Sequence, residues 1–175
     1  LWFKVAKLLQ FLGKIEDSID CYDRGLELNG DIPAFYLGLG VALFELNRHS
    51  DASRVLQTGL ELAPANVLLL INYGAVLLNL NKGHKSVELF RLAGDNVAVG
   101  SCDYLHDGAV KLVKSTIDAC VGYLGRDGMK REEERNRATV LSQLVMELNF
   151  FICGRVSKLT ESSLENFKKR YCVQE

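Results

Sequence analysis

The sequence lacks the residue patterns that catalytic and metal sites usually require. Its three histidines, His49, His84 and His106, stand alone, with no H-x-x-x-H or E-x-x-H spacing and no paired carboxylate at ligand distance. It contains no G-x-x-x-x-G-K-[ST] loop, no G-x-G-x-x-G turn and no G-x-S-x-G elbow. These absences predict a protein that is not an enzyme and that holds neither a cofactor nor a metal ion.

Net charge and paired cysteines are also lacking. The formal net charge is −1 and the pI is near 6.4, whereas a general nucleic-acid binder needs a concentrated basic face. No C-x-x-C pair occurs, and the five cysteines are scattered: Cys21, Cys102, Cys120, Cys153 and Cys172. Because such a set of cysteines is typical of reduced residues, we expect a cytoplasmic protein. From the balanced charge we also expect that the protein does not bind nucleic acid.

No apolar run is long enough to cross a membrane, although 48% of the residues are hydrophobic. A spanning helix needs about 20 consecutive apolar residues. The two most apolar stretches, 68–80 and 140–156, are interrupted by polar side chains such as Asn72, Asn79 and Glu147. We therefore predict that both form buried helices and that neither inserts into a membrane.

What the sequence does contain is a repeat with a period of 34 residues. Leu9, Leu43 and Leu77 are identical at that spacing. Other columns keep one kind of residue, either small or bulky: Ala6/Gly40/Gly74, Ser18/Ala52/Ser86 and Gly25/Gly59/Ala93 are small, and Trp2/Tyr36/Leu70 and Tyr22/Leu56/Phe90 are bulky. A small residue lets two helices approach closely, and a bulky residue beside it fills the remaining space. The columns therefore predict three pairs of packed helices.

Turn-forming residues separate the two helices of each pair. Gly13, Asn47 and Asn81 share one column, and each tolerates the positive φ that ends a helix. Pro64 lies where the helix after the second pair is expected to begin. The predicted helices run over 2–12 and 15–29, 33–46 and 50–63, and 65–80 and 84–95.

This arrangement resembles the tetratricopeptide repeat family, in which large–small–large columns of one helix alternate with small–large–small columns of the next. The second repeat matches best, from Tyr36-x-x-Leu39-Gly40-x-x-Leu43 through Ala52-x-x-x-Leu56 to Pro64. The resemblance implies an all-α fold, a right-handed solenoid of helix-turn-helix pairs, with three tandem repeats over 1–98. Because Leu1 falls inside the first helix of a repeat, we expect the sequence to be a segment of a longer protein.

Residues 99–175 depart from the repeat and are predicted to form a C-terminal helical region. In order, it is expected to contain a capping helix over 102–124, a break at 125–128, a further helix that a charged segment at 130–137 opens and a long apolar part over 140–156 continues, and a short helix over 163–172. The end of a solenoid needs a cap, because its last repeat otherwise exposes an apolar face. The 140–156 helix must be covered by the chain itself, by a partner, or by a second copy in an oligomer.

In tetratricopeptide solenoids the first helix of each pair lines the concave surface, and the resemblance carries that role to the matching positions of this chain. The predicted partner-binding groove consists of seven residues: Leu37, Val41, Phe44, Leu68, Ile71, Asn72 and Leu78. The charged clamp with which one subclass grips acidic chaperone tails is absent, because Lys7 is the only basic residue at its positions. An apolar groove fits a partner peptide or an amphipathic helix.

We therefore expect a protein–protein interaction module, namely an adaptor, scaffold or chaperone-like protein that binds a partner peptide or helix in this groove. One alternative is a structural subunit of a larger assembly, with the groove filled by its own C-terminal helices. Another is the recognition arm of a larger enzyme. The segment Phe35-Tyr36-Leu37-Gly38-Leu39-Gly40 also resembles the second repeat of the compact chaperones of bacterial type III secretion.

Overall fold

The computed structural model describes residues 1–100, 107–124 and 131–152. Over these ranges the chain forms helices and no strand, in the order α1 (Trp2–Phe11), α2 (Ile15–Leu28), α3 (Pro33–Glu45), α4 (His49–Leu62), α5 (Val67–Asn79), α6 (Gly83–Ala98), α7 (Asp107–Leu124) and α8 (Arg131–Ile152). None of the helices in these ranges is both long and apolar enough to span a bilayer.

The first six helices form three hairpins that stack in sequence order. Within the pairs, α1 packs on α2, α3 on α4, and α5 on α6. Each second helix also packs on the first helix of the next pair, and the first helices α1, α3 and α5 are neighbours. The predicted all-α solenoid is confirmed.

The turns inside the hairpins use the residues that the sequence singled out. Gly13, Asn47 and Asn81 have φ angles of 76°, 58° and 57°, the left-handed conformation that ends a helix. The start of α5 differs by two residues from the prediction, which placed it at residue 65, directly after Pro64. The helix begins at Val67 because the side chain of Asn66 accepts a hydrogen bond from the Leu69 amide and caps it.

The small-residue columns are places where a bulky side chain of another helix meets the backbone. A Cβ placed on Gly40 of α3 would lie 2.5 Å from Leu56 of α4. In the third pair the Ser86 hydroxyl donates to the Gly74 carbonyl oxygen at 2.7 Å, which joins α6 to α5 at the same column. These contacts explain why the 34-residue columns keep their side-chain volumes.

The C-terminal helices continue and then cover the stack. Helix α7 packs on α6, in the place where the first helix of a fourth pair would lie, and α8 packs on both α5 and α7. The predicted helix over 102–124 corresponds to α7, and the charged segment and the apolar stretch form one helix, α8. Residues 101–106, the break at 125–128, the end of the apolar stretch at 153–156 and the helix over 163–172 lie outside the described residues. The division at residues 98 and 99 stays a prediction.

Candidate partner-binding surface

The residues of the predicted groove lie on the first helices of the second and third pairs, and we call this set the inner surface. It comprises Leu37, Val41 and Phe44 on α3 and Leu68, Ile71, Asn72 and Leu78 on α5, that is, the seven residues of the predicted groove. Leu37 is partly buried, whereas the other six side chains are buried. The two halves of this surface have different surroundings.

On α5, the inner surface lies against α8. The side-chain amides of Asn72 and Asn149 form a reciprocal pair: Asn72 Nδ2 donates to Asn149 Oδ1 at 3.1 Å, and Asn149 Nδ2 donates to Asn72 Oδ1 at 2.6 Å. Asn72 Nδ2 also lies 2.8 Å from the Leu68 carbonyl oxygen. Both amides are therefore satisfied in a buried position, as buried polar groups must be.

A second polar contact joins the two helices two turns away. Asn79 Nδ2 donates to Ser142 Oγ at 2.6 Å, and Ser142 Oγ lies 3.4 Å from the Ala75 carbonyl oxygen. Because Asn79 follows Asn72 by seven residues while Ser142 precedes Asn149 by seven, α8 runs antiparallel to α5. A step of seven residues is nearly two turns of helix, so one stripe of each helix makes both contacts.

Apolar side chains of both helices are buried in the core. Leu141, Leu144, Val145 and Leu148 of α8 are buried in the same core cluster as Ile71, Ala75 and Leu78 of α5. Every residue of α5 from Val67 to Leu78 is buried. A helix that is apolar on all sides needs neighbours on all sides, and α8 supplies the neighbour on the inner surface.

Sequence reasoning did not single out Asn149 and Ser142. Both lie within the apolar stretch 140–156. The signal that identifies them is the shared spacing: polar residues stand seven apart on α5, at 72 and 79, and seven apart on α8, at 142 and 149. A matching pair of spacings on two apolar helices is the pattern of two stripes that face each other.

Between α1 and α3, the corresponding region is built around Tyr22 of α2. Its hydroxyl donates to Gln10 Oε1 at 2.8 Å, and Gln10 Nε2 donates to Glu45 Oε1 at 3.2 Å, which links three helices. A Cβ on Gly38 would lie 2.4 Å from the Tyr22 ring, so only glycine leaves room for it there. Phe3 packs edge-on against Tyr22, with the ring centroids 6.1 Å apart. Lys7, on the same helix as Phe3, is exposed.

Charged groups near α4 have shifted pKa values. Burial lowers the pKa of His49, whose ring stands 5.4 Å from that of Phe44. Burial, followed by the charges of Asp20 and Glu27, raises the pKa of Asp23 on α2, and Arg48 acts in the opposite direction. Hydrogen bonds from Arg54 and Arg48 lower the pKa of Asp51.

Within the described ranges, no three His, Cys, Asp or Glu side chains are grouped so that they could hold a metal ion.

Helix hairpins stacked in sequence order define a helical-repeat protein. Residues 1–32 match the tetratricopeptide repeat family. A solved structure described as "MamA RS-1 ArsTM double mutant" has a similar fold, with a TM-score of 0.58 and 18% sequence identity, over 85% of this chain and 73% of that one. No curated protein matches the sequence. The family match over residues 1–32 agrees with the resemblance that the 34-residue period predicted, and it supports a protein–protein interaction module in general terms.

Proposed function

We propose that this chain is an adaptor or scaffold whose inner surface recognises an amphipathic helix of a partner protein. The observation that supports this most is the contact of α8 with α5. A helix with an apolar stripe already lies on the predicted groove, held by the Asn72–Asn149 pair and the Asn79–Ser142 contact. Helix-in-groove recognition uses the same elements, namely apolar anchors at helical spacing and a few polar contacts that fix the register.

The contact between α5 and α8 indicates which features a competing partner helix needs. It needs apolar residues at the spacing of Leu141, Leu144, Val145 and Leu148, and it must run antiparallel to α5. It also needs a hydrogen-bonding side chain at the position of Asn149, because a buried amide left unpaired costs about 1–3 kcal/mol. A helix with only apolar residues on this side binds less well.

The α3 part of the inner surface supplies the second half of the proposed contact. Leu37 is only partly buried and so can contact a partner directly, with Val41 and Phe44 buried on the same helix. On α5, Leu68, Ile71, Asn72 and Leu78 come within reach of a partner only when α8 moves away. The proposal includes a cytoplasmic location, supported by Cys21 and Cys120, which form no disulfide bond within the described residues, and no role for nucleic acid.

The test removes α8 from the inner surface of α5 within the full chain. Leu144→Asp and Leu148→Asp together place two charges in the α5–α8 contact and release α8. A fluorescent peptide of residues 131–152 is then titrated against the native chain and the variant. We expect saturable binding to the variant and at least about tenfold weaker binding to the native chain, since its own α8 competes.

Two controls accompany this titration. Gln143 is exposed on α8, so Gln143→Asp adds a charge without releasing the helix and should leave the native result unchanged. A peptide that carries both aspartates should not bind either protein. If the released variant keeps its helical content but does not bind the native peptide, the inner surface is not a helix-binding groove.

A second candidate function is structural, with α8 as a permanent part of the core. The burial of Leu141, Leu144, Val145 and Leu148 in one cluster with α5 favours it. In that case the Leu144→Asp/Leu148→Asp variant no longer unfolds cooperatively, because the two substitutions disrupt the whole chain rather than release one helix. Light scattering of the native chain tests assembly through α8; a monomer at high concentration argues against it.

A further inference from the structure

The edge of the solenoid at which the second helices end carries exposed apolar side chains. Leu28 ends α2 and Leu62 ends α4; they share one column of the repeat and are 74% and 43% exposed. Ile32, directly before α3, is 37% exposed. All three residues lie at junctions between two described pairs, so their exposure does not depend on what precedes or follows the stack. Large apolar side chains grouped in contact with water are typical of an interaction site.

Carboxylates surround these apolar side chains. Four exposed acidic residues lie at the same edge: Glu27, Asp31, Glu61 and Asp95. Within the described residues, none of these four carboxylates forms a salt bridge. Helices α2, α4 and α6 have no basic residue in the last turn, although the negative end of a helix dipole favours cations. Positive charge supplied from elsewhere would therefore stabilise this surface, which we call the acidic edge: Glu27, Leu28, Asp31, Ile32, Glu61, Leu62 and Asp95.

Helix α8 leads the chain to the acidic edge. It runs antiparallel to α5, and Asn149, three residues before the end of α8, contacts Asn72, five residues after the start of α5. The end of α8 therefore lies near the start of α5, which follows Leu62 after four residues. Residues 153–162 can span roughly 30 Å when extended. Since packed helices lie about 8–10 Å apart, the segment that follows can reach the ends of both α4 and α2.

The sequence of that segment complements the acidic edge. Within the predicted helix over 163–172, Leu164, Phe167 and Tyr171 stand three and seven residues apart, the spacing of one helix side. Lys168, Lys169 and Arg170 follow one another in the same segment. An apolar stripe beside three cations matches exposed leucines beside carboxylates.

We propose that the segment 163–172 docks on the acidic edge of its own chain. Its apolar side covers Leu28, Ile32 and Leu62, and its cations lie beside Glu27 and Glu61. Because the contacts of α8 with α5 hold the segment nearby, its effective concentration is on the order of 1 mM, which a second copy or a partner protein has to exceed. The docked segment also fixes the C-terminal end of α8. The proposal does not rest on the helix-binding function, because it concerns a segment of the same chain and a separate surface.

The first experiment is amide hydrogen exchange of the native 175-residue chain, read by mass spectrometry. An isolated helix of ten residues is marginal in water, so slow exchange over 163–172 requires a docked helix. We expect exchange there to be at least about tenfold slower than in a synthetic peptide of residues 153–175. Leu28→Asp/Leu62→Asp should bring it to the rate of the peptide and leave exchange in α5 unchanged. Exchange as fast in the native chain as in the peptide means that the edge is open to another occupant, and the proposal is then wrong.

Leu12 and Leu92 provide the matched control. They are exposed leucines, at 60% and 45%, away from the acidic edge: Leu12 ends α1 at the opposite edge, and Leu92 lies within α6. Leu12→Asp/Leu92→Asp should leave exchange over 163–172 slow. Equal acceleration by the two pairs of substitutions contradicts the assigned surface.

A charge exchange tests the contact without touching its apolar part. Glu27→Lys/Glu61→Lys should accelerate exchange over 163–172, and so should Lys168→Glu/Lys169→Glu. The two sets combined should restore slow exchange, because opposite charges face each other again. If the combined variant exchanges as fast as either set alone, the proposal is overturned.

Protein concentration separates the chain's own segment from that of a second copy. An intramolecular contact gives the same exchange over 163–172 at every dilution. Slow exchange that is lost on dilution, together with a dimer in light scattering, assigns the acidic edge to a second copy and overturns the proposal.

Discussion

Asn72 and Asn149 lie 77 residues apart in the sequence and exchange hydrogen bonds through both side-chain amides. The pair is almost completely buried, with 1% and 6% exposure. A satisfied buried pair adds little net stability compared with apolar side chains of similar size, but a shifted register leaves both amides unpaired. The pair therefore fixes the position of α8 along α5, while the leucines around it supply most of the attraction.

Asn149→Leu is expected to destabilise the chain by about 1–3 kcal/mol, because Asn72 Oδ1 loses its donor in a buried site. Asn72→Leu/Asn149→Leu should recover a large part of that loss, since no unpaired amide remains. Urea unfolding of the wild type, both single variants and the double variant gives the coupling energy, which we expect to be at least about 1 kcal/mol.

Asn136→Leu is the matched control for this cycle, because Asn136 is exposed on the same helix. It should change stability by less than about 0.5 kcal/mol. Additive effects of the two single variants would mean that the amides do not interact in solution.

Gly40→Ala tests the close approach of α3 and α4. The new Cβ would lie 2.5 Å from Leu56, so a helix in the packed core must move. We expect a loss of about 1–3 kcal/mol in the free energy of unfolding, and partial rescue when Leu56 is also changed to Ala. Gly83→Ala is the control: its added Cβ meets nothing within 4 Å at the start of α6, so it should be neutral or slightly stabilising.

Tyr22→Phe removes one link of the chain that joins α1, α2 and α3. The lost hydroxyl leaves Gln10 Oε1 without this donor in a buried position, so stability should fall by about 1–2 kcal/mol in thermal or urea unfolding. Tyr73→Phe removes a longer bond, of 3.3 Å to Gln57 in a partly buried site, and should cost less. Equal losses in the two variants would show that the buried Gln10 is not the reason.

The fold could be predicted because its contacts repeat. Gly40 against Leu56 and Gly74 against Phe90 are the same contact in successive pairs, so the 34-residue columns record it directly. The turns at Asn47 and Asn81 follow from local backbone preference, which needs no knowledge of the rest of the chain. Predicted helix ends consequently lie within a few residues of the observed ones.

The position of α8 could not be read from those columns, because the contact between residues 72 and 149 occurs once and has no periodic equivalent. What the sequence does record is that α5 is apolar on all sides, unlike α2 or α4, which are amphipathic. That difference indicates one more covering element on α5. It does not say which element, since a helix of the same chain, a second copy of the chain and a partner protein would all leave the same composition on α5.

His49 makes the stability of the chain depend on pH in a defined direction. Burial lowers the pKa of His49 in the folded chain below its value of 6.5 in the unfolded chain. As the pH falls through about 6.5, the unfolded state therefore takes up a proton that the folded state takes up only at lower pH, and the contribution of His49 to stability is progressively lost. Above that range the residue is neutral in both states and makes no pH-dependent contribution.

Urea unfolding of the wild type and of His49→Gln between pH 7.5 and pH 5 measures this contribution of His49 to stability. The wild type should lose stability relative to the variant on acidification, and this comparison removes the opposing effects of Asp23 and Asp51 because both proteins contain them. A difference that stays constant across this range, or that grows in favour of the wild type, contradicts the prediction.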